Sequence, residues 1–241
     1  LSTGGTGTEG TDYSTISDIT ISAGGTTGTA SFTPTDDSVY EGNETGIVSI
    51  SGVSGGSATE SGTQSVTITI NENESAPTVT LTTSSTSIDE NSGSVLTLTA
   101  TLSNATTANV TVSIATSGSA TEGTDYTDGS GNIDDIVITA GNTTETISFK
   151  PTDDSVYEGD ETATISISGV SGGSATESGT QAVSITISEN ESAPTVTLAV
   201  SATSIAENSG STLTLTATSS VVADEDITVS ISTSGTATEG T

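Results

Sequence analysis

The 241-residue sequence contains no cysteine and no histidine. These absences exclude disulfides, thiol nucleophiles, zinc sites built on thiolate or imidazole, and a serine–histidine catalytic relay. Aromatic residues are also scarce, with no Trp, four Tyr and two Phe. A carboxylate pair can hydrolyse glycosidic bonds, but few rings are present to stack against a sugar. We therefore expect no enzymatic activity, and a carbohydrate-active enzyme is a disfavoured alternative.

Positive charge is nearly absent, because Lys150 is the one basic residue beside 31 acidic ones and the formal net charge is −30. Nothing offsets the repulsion of nucleic-acid phosphates or of an anionic membrane surface. We expect no nucleic-acid partner, and cations are the natural ligands. No run approaches the roughly 20 apolar residues of a membrane span, and the start shows no targeting signal. We expect no membrane insertion in this segment.

Long segments of the sequence occur twice, most of them 117 residues apart. That spacing is the size of one small domain rather than of a solenoid turn. We predict a partial repeat over 1–75, a complete repeat over 76–192, and the opening strands of a third repeat over 193–241. The pattern resembles two repeat lengths cut out of phase from a longer array. The duplicated segments are PTDDSVYEG at 34–42 and 151–159, SGVSGGSATESGTQ at 51–64 and 168–181, SAPTVTL at 75–81 and 192–198, and TEGTDY at 8–13 and 121–126.

Apolar and hydroxyl-bearing residues alternate along several runs of the complete repeat. Period two with many β-branched residues is typical of half-buried strands, and clusters of Gly, Asn, Asp and Ser between the runs predict turns. About seven strands in a repeat of about 117 residues predict an all-β fold of tandem antiparallel, immunoglobulin-like β-sandwiches without helices. The runs are 78–81, 95–99, 110–114, 136–138, 146–149, 164–167 and 183–187.

Acidic residues of the complete repeat collect beside the ends of the predicted strands. Two carboxylates about 5 Å apart repel each other by roughly 1 kcal/mol in water, and by several times more at a lower effective dielectric. Calcium takes about 6–8 oxygen ligands, whereas magnesium usually keeps several waters. Calcium is therefore the favoured ion, and a solvated acidic surface that only confers solubility is the alternative.

Four segments of the complete repeat, taken in order, resemble the Calx-beta family. They are DENSG at 89–93, SGSATEGTDY at 117–126, PTDDSVYEGDET at 151–162 and VSITISENESAP at 183–194. The family comprises repeated β-sandwich modules of sodium/calcium exchangers, of one integrin β-chain and of long bacterial surface proteins. The resemblance covers essentially the whole repeat, and it implies a sandwich that collects calcium ions at one end.

The same resemblance implies which residues bind calcium. They are Glu90, Asp125, Asp153, Asp154, Glu158 and Glu161 in the complete repeat, Asp12, Asp36, Asp37, Glu41 and Glu44 in the first repeat, and Glu207, the counterpart of Glu90, in the third. The closing segments add the candidate ligands Glu189 and Glu191 in the complete repeat and Glu72 and Glu74 in the first, where the chain departs from the family. Calcium-binding members of the family carry consecutive aspartates in the closing segment, where this chain has Glu and Asn. Longer stems and neutral amides change the geometry and charge count, so the number of ions per repeat stays open.

These features predict a calcium-binding structural or adhesive repeat of a long extracellular surface or filament protein, in which calcium rigidifies the array. A calcium-sensing regulatory module is the alternative, but a sensor gains little from near-identical copies. The expected partners are calcium ions and neighbouring repeats of the same chain. The incomplete end repeats have two possible completions, a covalent continuation of the array or head-to-tail self-association with a second molecule.

Overall fold

The computed structural model describes residues 1–237; the last four residues of the third predicted repeat, 238–241, lie outside the described residues. Within the described part, strands and loops are interrupted by two single-turn 3₁₀ helices, Glu90–Ser92 and Glu207–Ser209, and neither helix is long enough to cross a membrane. In chain order the strands are β1 (Ser2–Gly5), β2 (Val39–Tyr40), β3 (Glu44–Ser49), β4 (Ser65–Ile70), β5 (Thr78–Thr83), β6 (Ser87–Asp89), β7 (Leu96–Leu102), β8 (Ala105–Thr106), β9 (Val110–Gly118), β10 (Tyr126–Thr127), β11 (Ile136–Ile138), β12 (Thr144–Pro151), β13 (Val156–Tyr157), β14 (Glu161–Ser171), β15 (Thr176–Glu177), β16 (Ala182–Ser188), β17 (Val196–Val200), β18 (Leu215–Ser219) and β19 (Val222–Ala223).

The complete repeat contains two five-stranded sheets. One has the strand order β10–β12–β7–β5–β15, and the other has the order β11–β9–β14–β16–β6. The long strands pair antiparallel, while the short edge strands β15 and β6 pair parallel with β5 and β16. The predicted all-β sandwich is confirmed.

The core of the complete repeat follows from the period-two pattern. Along β7, Leu96, Leu98 and Ala100 are buried, while the threonines between them are exposed or half-buried. Tyr126 and Phe149 are fully buried and stack with their ring centroids 4.8 Å apart. Because these are two of very few rings, aliphatic side chains supply most of the remaining buried area.

The N-terminal part forms a three-stranded sheet in the order β1–β3–β4. These strands correspond to the end of β9, to β14 and to β16 of the complete repeat. Residues 14–33 form no strand, although their counterparts include β11 and β12. In the complete repeat β12 pairs with β7 and β11 pairs with the start of β9. The described N-terminal part contains no counterpart of those partner segments, so the residues that correspond to β11 and β12 lack the strands with which β11 and β12 pair.

The C-terminal part contains the antiparallel hairpin of β17 and β18, which correspond to β5 and β7. Successive repeats are joined by short parallel pairs: β2 pairs with β8, and β13 pairs with β19. Each of these pairs places the DDSVYEG loop of one repeat beside the turn that follows the opening strands of the next. The junctions therefore lie next to the acidic loops.

Candidate metal centres

The aspartate of the second TEGTDY segment, Asp125, is held in place by the core residue that follows it, Tyr126. The backbone carbonyl of Asp125 accepts a hydrogen bond from Thr152 N–H at 2.9 Å, which holds the turn against the loop after β12. The Asp125 side chain is only 9% exposed. A buried ring and a backbone bond thus fix one carboxylate beside the DDSVYEG loop.

That carboxylate belongs to a group that we call the turn cluster. Carboxylate oxygens of Asp125, Glu158 and Glu161 lie within 4.8 Å of one another. The two glutamates flank the turn between β13 and β14, so the cluster joins two segments that are distant in sequence, this turn and the TEGTDY segment. The first repeat forms the same cluster from Asp12, Glu41 and Glu44. The two copies therefore share one local arrangement.

A second group, which we call the closing cluster, consists of Glu90, Glu189 and Glu191, again with oxygens within 4.8 Å. The short strand β6 runs parallel to the end of β16, with Asp89 paired with Ser188. This pairing places Glu90, the first residue of the 3₁₀ helix, beside the closing segment. Glu90 is 7% exposed, so its carboxyl group is largely removed from water.

Backbone donors organise the closing cluster around Glu189. Its Oε2 accepts hydrogen bonds from the N–H groups of Glu158 at 2.6 Å and Gly159 at 2.8 Å. Its Oε1 accepts a hydrogen bond from Glu191 N–H at 2.8 Å. Glu189 thus connects the closing cluster to the loop that carries the turn cluster. In the first repeat Glu72 accepts the corresponding bonds.

Burial and crowding work against full ionisation of the glutamates. Burial, followed by negative neighbours, raises the pKa of Glu41, Glu90 and Glu161 to about 7. Burial also acts to raise the pKa of Glu189, but backbone N–H donors outweigh it and lower that pKa to about 2. A hydrogen bond to Glu189 raises the pKa of Glu191. Without a cation, the clusters reduce repulsion by holding protons.

The donor set of both clusters fits calcium. Oε2 of Glu191 is buried and has no hydrogen-bond partner among the described residues. Such an oxygen loses the stabilisation that water would give it unless another group compensates. All side-chain ligands in the clusters are hard carboxylate oxygens, the ligand type that calcium takes. The sequence has no His and no Cys, the residues whose nitrogen and sulfur atoms zinc and copper favour.

Several predicted ligands lie outside the clusters of the described residues. Asp36, Asp37, Asp153 and Asp154 are exposed. Oδ1 of Asp154 accepts a hydrogen bond from Val156 N–H at 2.7 Å, so this side chain stabilises the loop. Its charge also raises the pKa of Glu158, although burial and the charge of Asp125 are larger causes of that shift.

The two end repeats carry different parts of a closing cluster. Glu72 and Glu74 lie together in the first repeat, without a counterpart of Glu90 among the described residues. Glu207, the counterpart of Glu90 in the third repeat, is exposed on its 3₁₀ helix. Each end repeat thus carries one part of a closing cluster.

Asp224 is not among the predicted ligands, yet it lies beside the turn cluster of the complete repeat. Its N–H donates a hydrogen bond to the Tyr157 carbonyl at 3.3 Å, next to the β13–β19 pair. After burial, its negative charge is one of the causes that raise the pKa of Glu158 and Glu161. Thr107 occupies the corresponding position at the first junction. The difference between Thr107 and Asp224 is therefore the feature of the sequence that points to Asp224.

A β-sandwich with oxygen-only acidic clusters at its strand ends and turns defines a candidate cation-binding module. The chain belongs to the Calx-beta domain family, whose model matches residues 1–74 and 72–191. The family predicted from the four segments is therefore confirmed. Calx-beta domains are non-enzymatic binding modules, known as the calcium-binding domains of sodium/calcium exchangers.

Solved structures similar to this chain include Calx domains and part of an S-layer protein. The apo-form Calx CBD1 domain is 18% identical, with a TM-score of 0.40, over 48% of this chain and 99% of that one. CBD12 from CALX1.2 is 20% identical, with a TM-score of 0.36, over 42% of this chain and 40% of that one. Domains 4 and 5 of the S-layer protein SbsC are 20% identical, with a TM-score of 0.26, over 74% and 70%. No curated protein matches the chain.

Proposed function

We propose that the chain is a calcium-binding structural or adhesive repeat segment of a long extracellular surface or filament protein, and that calcium rigidifies its sandwich array. The observation that carries this proposal is the presence, in a Calx-beta chain, of three clusters that each gather three carboxylates. Extracellular calcium modules bind at about 10⁻⁴–10⁻³ M, and we expect the clusters to bind calcium in that range.

The proposed role of each cluster follows from the segments it joins. Asp125, Glu158 and Glu161 would hold calcium between the TEGTDY turn and the loop before β14. Glu90, Glu189 and Glu191 would hold calcium between β6 and the end of β16. Bound calcium supplies the positive charge that offsets carboxylate repulsion, so the loops no longer need shared protons. Segments far apart in sequence would then be tied together at the repeat junction.

The sensor alternative differs from the spacer in the calcium concentration at which it responds. Regulatory calcium sites work at about 10⁻⁷–10⁻⁵ M, below the range of extracellular modules. The position of the turn cluster beside the β13–β19 pair is compatible with either role. Small-angle X-ray scattering during a calcium titration separates them: stiffening near 1 mM supports the spacer, and a change complete at micromolar calcium supports the sensor.

Calorimetric titration of the 241-residue chain tests calcium binding directly. The double variant Asp125→Asn/Glu161→Gln removes two carboxylates of the turn cluster and should lower the number of ions bound. The matched control Asp134→Asn/Glu145→Gln removes two acids of the same repeat outside the clusters and should leave that number unchanged. Unaltered stoichiometry in the site variant, or no binding by the wild-type chain, refutes the proposal.

A further inference from the structure

One duplicated segment, SGVSGGSATESGTQ, takes no part in the acidic clusters formed by residues 1–237. In the complete repeat it contains the end of β14, the short strand β15 and the turn between them. We call residues 172–178 of this segment the clasp. Gly172, Gly173 and Ser174 all have a positive φ, of 92°, 53° and 54°. Their counterparts at 55–57 have φ values of 84°, 58° and 52°, so both copies of the sequence form the same turn.

Close approach to another segment, rather than φ alone, requires glycine at two positions of the clasp. Ser174 shows that a residue with a side chain can adopt a φ of 54° in this turn. A Cβ atom on Gly172 would overlap the carbonyl oxygen of Asn109. A Cβ atom on Gly173 would lie 2.6 Å from Cγ2 of Thr106. Because glycine has no side chain, the clasp can pack directly on β8 and on the turn that follows it.

The clasp also binds the start of the opening strand β5. The N–H group of Thr176 donates a hydrogen bond to the carbonyl oxygen of Pro77 at 3.1 Å. The N–H group of Ser178 donates one to the carbonyl oxygen of Val79 at 2.9 Å, and β15 is thereby a parallel partner of β5. The linker that follows β4 of the first repeat ends at Pro77, which is fully buried. The clasp therefore holds the chain at the point where it enters the complete repeat.

Thr106 connects the clasp to the preceding repeat. It pairs with Tyr40 in the parallel β2–β8 pair, which joins the first repeat to the complete one. Thr106 is only 2% exposed, although it is polar. Its carbonyl oxygen accepts a hydrogen bond from Gly141 N–H at 2.9 Å, and its Oγ1 accepts one from Ala108 N–H at 3.3 Å. Thr106 thus contacts the preceding repeat through its backbone strand and the clasp through its side chain.

We propose that the clasp fixes the orientation of the preceding repeat, by holding β8 and the start of β5, the two segments of the complete repeat that adjoin it. The β2–β8 pair has two residues on each strand, and so short a pair needs support from its neighbours to hold a fixed angle. The clasp gives that support from the side of the following repeat. This role needs no calcium, so it is independent of the proposed metal sites, which lie beside the DDSVYEG loop.

Spin-label distances between the two repeats, measured by electron paramagnetic resonance in EDTA, test the proposal. The chain has no cysteine, so Thr67→Cys on β4 and Thr97→Cys on β7 place one label in each repeat at exposed positions outside the clasp. We expect a narrow distance distribution in the otherwise unaltered chain, and loss of that narrow peak in Gly173→Ala. Gly56→Ala is the matched control, because its φ of 58° imposes nearly the same backbone strain. No atom of the described residues lies within 4 Å of the Cβ that it adds, so the narrow peak should remain.

A compensating substitution separates a positioning role from a general loss of stability. Thr106→Ala removes Cγ2 and Oγ1, the two atoms nearest to a Cβ at position 173. Thr106→Ala alone leaves a gap beside the clasp and should broaden the distance distribution. Thr106→Ala/Gly173→Ala fills that gap with the new Cβ and should restore much of the narrow peak. Two substitutions that each loosen the junction and together restore it would identify the contact itself as the positioning element.

Circular dichroism establishes that each variant is folded before its distances are compared. If Gly173→Ala does not fold, Thr106→Ala carries the test, and an unchanged narrow peak in Thr106→Ala overturns the proposal. A broad distribution in the unaltered chain, a narrow peak in folded Gly173→Ala, or equal broadening by Gly56→Ala also overturns it. The order of the variants should be the same with and without calcium. A chain that binds no calcium therefore refutes the metal sites and leaves the clasp standing.

Discussion

Phe149 and Phe32 occupy the same position in two copies of the repeat but have different surroundings. Each ring stacks on the tyrosine of its own repeat, Tyr126 or Tyr13, but Phe149 is fully buried whereas Phe32 is half-buried beside an open cavity. We expect Phe149→Ala to lower the free energy of unfolding by about 3–5 kcal/mol, since it leaves a core cavity. Phe32→Ala should cost less than half as much under conditions where the chain is monomeric. Urea unfolding followed by circular dichroism checks this, and equal losses would contradict it.

The carboxyl groups of the clusters predict an unusual pH dependence of stability in the absence of calcium. The pKa of Glu41, Glu90 and Glu161 is about 7 in the folded chain, above the ordinary 4.5. The folded state binds these protons more tightly, so their contribution is complete below about pH 4.5 and is lost as pH rises through 7. Glu72 and Glu189 act oppositely, with a pKa of about 2, but their contribution is lost only below pH 4.5.

We therefore expect the melting temperature of the calcium-stripped chain to fall between pH 5 and pH 8. Saturating calcium should flatten or reverse this trend, because the ion takes the place of the protons and binds best to ionised carboxylates. Differential scanning calorimetry at constant ionic strength measures both curves. A calcium-free melting temperature that rises from pH 5 to pH 8 would show that the cluster glutamates do not control stability in this range.

At the residue scale, the motifs identify the acidic residues but not which of them meet. Asp154 and Glu158 occupy one short loop, yet only Glu158 lies in the turn cluster, since Asp154 turns back to the backbone of Val156. Glu90 lies beside Glu189 because β6 pairs with β16, which is about a hundred residues further along the chain. Asp224 belongs to none of the motifs, and only its difference from Thr107 at the first junction distinguishes it in the sequence.

At the scale of elements, each of the seven alternating runs coincides with a strand, namely β5, β7, β9, β11, β12, β14 and β16. The pattern does not predict the short strands β6, β10 and β15, because each contains at most one apolar residue, whereas the equally short β11 reads Ile-Val-Ile. Their position comes from partners already in place, such as the end of β16 for β6. This matters for the candidate site, since β6 is the element that positions Glu90.

The junction strands β8 and β19 lead to a prediction about the two turn clusters. Asp224 adds a negative charge at the second junction, where the first has Thr107. One unit charge several ångströms from a site near the surface contributes about 1 kcal/mol, so Asp224→Thr should weaken calcium binding at the complete repeat by roughly threefold to tenfold. Thr107→Asp should strengthen binding at the first repeat by a similar factor.

Isothermal titration at fixed ionic strength measures both changes. Glu225→Thr is the matched control, because it removes the same charge one residue further along and its carboxylate is not one of the main charges acting on Glu158 or Glu161. If Asp224→Thr and Glu225→Thr have the same effect, the difference between the junctions reflects overall charge rather than the position of Asp224.

At the scale of the whole molecule, a net charge of −30 is combined with a core of mainly aliphatic side chains. Self-repulsion of this size destabilises the compact state, and ordinary salt relieves it only by screening. Calcium bound in the clusters would act where the carboxylates are most crowded. The two effects are separable, since screening depends on ionic strength whereas site binding depends on the identity of the ion.

We accordingly expect calcium to raise the melting temperature well beyond what sodium chloride of equal ionic strength achieves. A ligand at about a thousand times its dissociation constant stabilises the folded state by roughly 4 kcal/mol, which corresponds to about 10 °C or more for a domain of this size. Magnesium should give a smaller rise, because it keeps its own waters and tolerates irregular sites poorly. Asp125→Asn/Glu161→Gln should lose much of the calcium effect while responding normally to sodium chloride. If EDTA, calcium and matched sodium chloride give the same melting temperature in the wild-type chain, the clusters are a solvated acidic surface and not metal sites.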